Sequence, residues 1–163
     1  MNPFLIGLQP LRRFADFRGR STRTELILFH FLSQLICLAA NLAGEFAGFS
    51  DGSGRVLAVG VLLCPLVALS VRRLHDTGRS GWWLLLGLPG AAVSVRRDFL
   101  FWQNPFDLAY LHPPANVELL AALLAVPLVI FLLLDDQEGP NAYGPNPRYP
   151  DDLALSDPTG DAA

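Results

Sequence analysis

The stretch RRLHDTGRSGWW, residues 72–83, stands between two apolar runs and decides how the chain folds. It places three arginines, a histidine and an aspartate within eight positions and ends in two adjacent tryptophans. The runs on either side read VLAVGVLLCPLVALSV and WWLLLGLPGAAVSV. Two apolar segments joined by so charged a connection predict a hairpin of membrane helices whose turn lies at the membrane surface.

The composition indicates a membrane protein as a whole. Hydrophobic residues make up 52% of the 163 residues and charged residues only 17%, and both values depart from those of an ordinary soluble domain. The formal net charge is -3, all 12 basic residues are arginine, and the acidic residues concentrate after residue 134. A net acidic chain has no basic face with which to displace counterions from the phosphates of a nucleic acid, so the composition carries no nucleic-acid signature.

Four hydrophobic segments are predicted to cross the membrane, at about 26–49, 56–71, 82–95 and 117–134. A hydrocarbon core of ~30 Å needs about 20 helical residues, which the first and last segments provide. The second segment has 16 residues, and Arg55 and Arg72 at its ends can extend their guanidinium groups to the interfaces. The third has 14 residues with Pro89 and Gly90 at its centre, so it is either a short kinked span or a re-entrant hairpin.

The arginines predict the orientation, because cytoplasmic loops carry the excess of basic residues. With four spans and the N-terminus inside, nine arginines lie on the inner side: Arg12, Arg13, Arg18, Arg20, Arg23, Arg72, Arg73, Arg79 and Arg148. Three lie outside: Arg55, Arg96 and Arg97. Both termini are therefore predicted to be cytoplasmic. Without the third span, the C-terminus would lie outside instead.

The segments outside the spans have patterns of their own. Residues 3–20 mix leucine and phenylalanine with arginine, which is typical of an amphipathic helix in the interface. Thr22 and Glu25 have the spacing of a capping box, which predicts the start of the first span. We expect residues 1–147 to form a single domain, an all-α four-helix transmembrane bundle with that N-terminal interfacial helix. The acidic residues 148–163 are expected to be disordered.

The charged turn admits a structural interpretation. Asp76, Thr77 and Gly78 suit a tight turn, and Ser80 can cap the following helix. Trp82 and Trp83 then lie at the depth where tryptophan belts form. In this interpretation, the arginines form an internal network that Glu25 and Asp76 neutralise.

Three further functions remain open. Guanidinium groups match phosphate oxygens, so a lipid-binding or phosphate-binding site is predicted at these residues: Arg20, Arg23, Arg72, Arg73, Arg79, Trp82 and Trp83. A transporter or channel that acts as a homo-oligomer would use prolines that interrupt three spans: Pro65, Pro89 and Pro127. A membrane-surface enzyme would use His75 and Asp76 as acid and base, but no nucleophile motif accompanies them, and we expect no enzyme. No second ligand is spaced for a metal site at His30 or His112, so we expect neither a metal nor another cofactor.

Three blocks together resemble a known family: GRSTRTE at 19–25, RRLHDTGRSGWW at 72–83 and GPNAYGPNP at 139–147. They are similar to the blocks of the bacterial inner-membrane family called domain of unknown function 805 (DUF805), the YhaH/YhaI-like proteins. The resemblance runs from about Phe14 to Pro147 and implies a small four-helix protein of the inner membrane without an established activity. All three blocks lie on the cytoplasmic side in the predicted topology. We expect a structural hinge and network there, made of Glu25, His75, Asp76, Gly78, Ser80, Gly81, Asn141, Tyr143 and Gly144.

Overall fold

The computed structural model describes residues 3–48, 53–103 and 114–148, and helices are the only regular elements in these ranges. The elements are α1 (Pro3–Arg12), α2 (Arg23–Phe46), α3 (Ser53–Asp76), a 3₁₀ helix (Gly81–Gly87), α4 (Leu88–Gln103) and α5 (Ala115–Leu133). Within these ranges, β-pairing is limited to an isolated bridge between Asn141 and Gly144. The predicted all-α class is confirmed. The predicted disordered tail lies outside the described residues, apart from Arg148.

Among the described residues, three helices are long and apolar enough to cross a membrane: Arg23–Phe46, Val56–Asp76 and Ala115–Leu133. They correspond to the first, second and fourth predicted spans. The third predicted span has a different structure, because residues 82–95 are divided between the 3₁₀ helix and the 16-residue helix α4. Pro89 is the second residue of α4, where the missing N–H leaves no helical bond unmade. It therefore starts a helix instead of kinking the centre of one.

Proline does not interrupt the other spans. The prediction of interrupted spans is wrong for Pro65 and Pro127, since α3 and α5 continue past these residues. Membrane helices tolerate proline because neighbouring groups and small backbone adjustments satisfy the freed carbonyls.

Helix α3 is longer than its apolar run, ending at Asp76 where Val71 was predicted. Its end is a Schellman motif, in which Gly78 has a left-handed φ of 72°. The N–H of Gly78 donates to the carbonyl of His75 at 3.0 Å, and that of Arg79 to Leu74 at 2.9 Å. The predicted turn at residues 76–78 is thus where the chain leaves the helix.

Helix α2 begins three residues before its predicted span, at Arg23. The hydroxyl of Thr22 accepts a hydrogen bond from the N–H of Glu25 at 3.2 Å, which is one half of the predicted capping box. The Glu25 carboxylate does not complete the box, because it lies beside Arg72.

The chain forms two compact units. The polar unit contains the described residues within 1–32, 63–81 and 132–163, and its buried apolar side chains include Phe29, Ala68, Leu69 and Leu74. The apolar unit contains the described residues within 33–62 and 82–131, where Leu62, Ala121 and Leu128 are buried. Most large side chains of α5 are exposed on one face, and Ala121 and Leu128 lie on the opposite face, as expected for a helix that packs on one side and contacts hydrocarbon on the other.

Candidate functional site

Asp76, the last residue of α3, is the centre of the charged site. Arg20 donates a hydrogen bond from Nε to its Oδ1 at 2.8 Å, and Arg73 donates from Nη1 to its Oδ2. All three side chains are at most 1% exposed. Burial of such charges is tolerated because each is paired and hydrogen-bonded. We call Asp76, Arg20 and Arg73, together with Arg72 and Glu25, the arginine cluster.

Arg20 also holds the C-terminal loop, residues 135–148. Its Nη1 donates to the carbonyl of Gly139 at 2.6 Å, and its Nη2 donates to the carbonyl of Gln137 at 2.5 Å. The N–H of Gln137 donates in turn to the carbonyl of Asp76 at 2.9 Å. A single buried side chain thus joins the N-terminal segment, the end of α3 and the C-terminal loop.

Arg73 donates hydrogen bonds to carbonyls at the C-terminal end of α5. Its Nε donates to the carbonyl of Leu132 at 2.8 Å, and its Nη2 donates to the carbonyl of Leu134. The last carbonyls of a helix have no partner within the helix, and a cation is favourable near them. Arg73 therefore satisfies α5 while its charge is balanced by Asp76.

Arg72 faces the N-terminal segment. Its Nη1 donates to the carbonyls of Arg13 at 3.2 Å and Asp16 at 2.7 Å, and its Nη2 lies 3.5 Å from Oε1 of Glu25. The Arg72 side chain is 0% exposed and that of Glu25 is 7% exposed. The expectation that Arg72 extends to the interface is therefore wrong, because its Nη1 donates to carbonyls inside the protein and its Nη2 lies beside the Glu25 carboxylate.

Arg23 and Arg79 differ from these three arginines. The Arg23 side chain is 32% exposed, donates to the carbonyl of Leu133 at 3.3 Å and pairs with the 85% exposed carboxylate of Asp135. Arg79 is half-buried, and its Nη1 donates to the carbonyl of Thr77 at 3.2 Å. The five predicted arginines thus divide into three buried ones and two that reach the surface.

A second contact with the C-terminal loop is made by the rings of His75 and Tyr143. The two rings are stacked in parallel, with a distance of 3.8 Å between their centroids and an angle of 2° between their planes. Nδ1 of His75 lies 3.2 Å from the carbonyl of Gly19, and Nδ2 of Asn141 donates to the carbonyl of His75 at 2.9 Å. The bridge between Asn141 and Gly144 folds the loop, so the three predicted sequence blocks, apart from Trp82 and Trp83, meet in one unit.

Two predicted residues follow the turn. Gly81 lies so close to Val71 that a Cβ at position 81 would be 2.9 Å from Cγ1 of Val71. Ser80 directly precedes the 3₁₀ helix, in the position predicted for a cap.

The predicted tryptophans belong to the apolar unit. Trp82 is 76% exposed, whereas Trp83 packs edge-on against Phe131 with centroids 5.1 Å apart.

Three residues of the C-terminal loop were not predicted as part of the site. Nδ2 of buried Asn146 donates to the carboxylate of Asp136 at 3.0 Å, and Nη1 of Arg148 lies 3.0 Å from the same carboxylate. Burial opposes ionisation of Asp136, but these partners outweigh it, so its pKa lies below the usual value. The sequence signal was the pair Asn146-Pro147. This pair predicts a turn, but it does not predict that the Asn146 side chain is buried.

The contacts of the arginine cluster indicate a structural role, in which the arginines hold helix ends and neighbouring segments together. The guanidinium groups donate to the carboxylate of Asp76 and to carbonyls of three separate segments, Arg72 pairs with Glu25 at 3.5 Å, and these contacts fix helix ends. Among the residues that the structure describes, no group of three His, Cys, Asp or Glu side chains is arranged to hold a metal ion.

The fold and the site define an all-helical integral membrane protein whose helix ends are joined by buried arginine–carboxylate pairs. Residues 14–145 match the family described as Protein of unknown function (DUF805), and the chain belongs to this family. It is similar to the inner membrane protein YhaI of Escherichia coli (strain K12), with 25% identity over 87% of this chain and 94% of YhaI. It is also similar to the inner membrane protein YhaH of the same strain, with 34% identity over 50% of this chain and 70% of YhaH. No solved structure matches the chain.

Proposed function

We propose that this chain is a multi-pass protein of the bacterial inner membrane that binds anionic lipid at the cytoplasmic surface, beside a structural arginine cluster. The observation that carries the proposal is the division of the arginines. Arg20, Arg72 and Arg73 are buried and directed at protein oxygens, which makes them structural. Arg23 is 32% exposed and Arg79 is half-buried, so these two reach the surface, where we propose that they contact lipid phosphates beside their protein partners.

The location and topology rest on several observations. YhaH and YhaI are inner membrane proteins by name, and nine of the 12 arginines lie on the side assigned to the cytoplasm. A fourth crossing would be made by residues 81–103. Their seven 3₁₀ and 16 α-helical residues extend over roughly 38 Å, more than the ~30 Å hydrocarbon core. Both termini are then cytoplasmic, and the four helices are proposed to form a bundle.

Other exposed side chains of the protein also suit contact with lipid. Trp82, three residues after Arg79, is exposed and has the amphipathic ring that favours the headgroup region. Helix α1 turns Gly7 and Pro10 inward and exposes a row of leucines three residues apart. That row, Leu5, Leu8 and Leu11, supports the proposal that α1 lies in the interface.

The geometry supports lipid contact better than catalysis at His75 and Asp76. Both carboxylate oxygens of Asp76 are held by arginines, and the ring of His75 is stacked on Tyr143. An acid and a base need access to one substrate atom. These two side chains point into the protein contacts described above, so we propose no enzymatic role for them.

The test is retention of lipid by the variant Arg23→Gln with Arg79→Gln. We expect normal folding and weaker retention of phosphatidylglycerol, by roughly fivefold for each surface arginine lost. Native mass spectrometry in a gentle detergent would measure this, with phosphatidylcholine as the uncharged reference lipid.

The matched control is Arg23→Lys with Arg79→Lys, which keeps both charges. It should retain phosphatidylglycerol better than the glutamine pair. Equal retention of phosphatidylglycerol by the wild-type protein and the glutamine pair would refute the proposed lipid contact.

A further inference from the structure

A groove between α4 and α5 in the apolar unit has a volume of about 470 Å³. Its walls are the apolar side chains Pro89, Ala92 and Val93 of α4 and Val117, Leu120 and Ala121 of α5. Residues 89, 92, 93 and 96 recur at helical spacing, so one face of α4 forms one wall and ends in Arg96. The volume lies within the range of small-molecule sites.

The chemistry of the groove indicates an amphiphile. Its walls offer almost no hydrogen-bonding group, and water is retained in a cavity only where it has polar partners. At membrane depth, the available occupant for such a surface is a hydrocarbon chain. Arg96 at the rim is exposed and supplies a guanidinium group, which forms paired hydrogen bonds with phosphate oxygens.

The dimensions agree with this occupant. Arg96 and Pro89 are seven residues apart on α4, so the groove extends about 10 Å along the helix from its charged end. A phosphate at Arg96 would place the first part of an acyl chain against Ala92 and Val93. Small side chains at Ala92 and Ala121 leave the width that the chain needs.

We propose that this groove is a binding site for one acyl chain of an anionic phospholipid whose phosphate is held by Arg96. The rim also includes Pro114, directly before α5, whereas the arginine cluster holds the carbonyls at the other end of that helix. In the topology of the proposed function, on which this step rests, the lipid belongs to the outer leaflet. The two lipid sites are therefore separate.

Paired substitutions on α4 test the site. Ala92→Leu fills the groove, whereas Ala91→Leu adds the same side chain at the exposed neighbouring position, which does not line it. We expect Ala92→Leu to reduce retention of both phosphatidylglycerol and phosphatidylcholine in native mass spectrometry, and Ala91→Leu to leave both unchanged. Arg96→Gln should weaken phosphatidylglycerol alone by roughly fivefold, and Arg96→Lys should restore most of it.

Two different results would contradict the proposed acyl-chain site. Equal lipid retention in the two leucine variants would refute the site. A change of oligomeric state in Ala92→Leu, with lipid unchanged, would assign the groove to a second copy of the chain and also overturn the proposal. Because Arg23 and Arg79 are intact in these variants, a loss seen here stands even if the cytoplasmic lipid contact proves wrong.

Discussion

Asp76 satisfies two buried guanidinium groups with one carboxylate. Arg20 and Arg73 approach its two oxygens from different segments, and each uses its remaining donors on carbonyls of the C-terminal loop or of α5. A charge in this position costs desolvation energy, which only complete pairing offsets. The side chain therefore stabilises the contacts of several segments at once.

Asp76→Asn should destabilise the protein by roughly 3–5 kcal/mol, because it leaves two buried arginines without their anion. Asp135→Asn provides the matched control, since it breaks an ion pair of Arg23 whose carboxylate is 85% exposed. Thermal unfolding in detergent, followed by tryptophan fluorescence, should show a large fall in Tm for the first variant and little change for the second. Similar Tm values for both variants would show that the cluster is not held by Asp76.

Helix ends show which parts of the fold the sequence could predict. Apolar runs located α2, α3 and α5, and the Thr22–Glu25 spacing indicated where α2 starts, because these signals are local. The continuation of α3 through Arg72 and Arg73 could not be predicted, since their partners lie in segments about 60 residues away. For the same reason, the sequence identified the members of the arginine cluster but not which of them are buried.

The end of α3 gives a prediction on backbone geometry. Gly78→Ala should destabilise the protein, because its φ of 72° costs an L-residue on the order of 1–2 kcal/mol and its Cβ would lie 2.7 Å from Oε1 of Gln137. Gly139→Ala is the control for backbone strain alone, since Gly139 has a φ of 68° and nothing within 4 Å of its Cβ position. Chemical denaturation in detergent should rank Gly78→Ala as less stable. Adding Gln137→Ala should recover part of the difference, and no recovery would contradict the proposed clash.

At the scale of the molecule, arginines lie near the ends of the helices that can cross a membrane. The carboxyl ends of α3 and α5 meet buried arginines, while the opposite end of α5 lies beside Arg96 at the rim of an apolar groove. Helix α5 is 19 residues long, or about 28 Å, so its two ends can lie at the two surfaces of one bilayer.

The topology that this arrangement requires can be measured with reporter fusions. A reporter after Gly78 or after Pro140 should be cytoplasmic, because both residues lie beside the arginine cluster and the excess of arginines marks the inner side. A reporter after Pro114, just before α5, should be on the opposite side, because residues 81–103 are long enough in helical form to cross. Alkaline phosphatase and green fluorescent protein fusions read the two sides with opposite signals, so each position has an internal check. A cytoplasmic reporter after Pro114 would remove the fourth crossing, and α5 would then carry the C-terminal loop outward. Since the contacts of Arg20 and Arg73 hold that loop and α3 in one unit, such a result would also contradict those contacts.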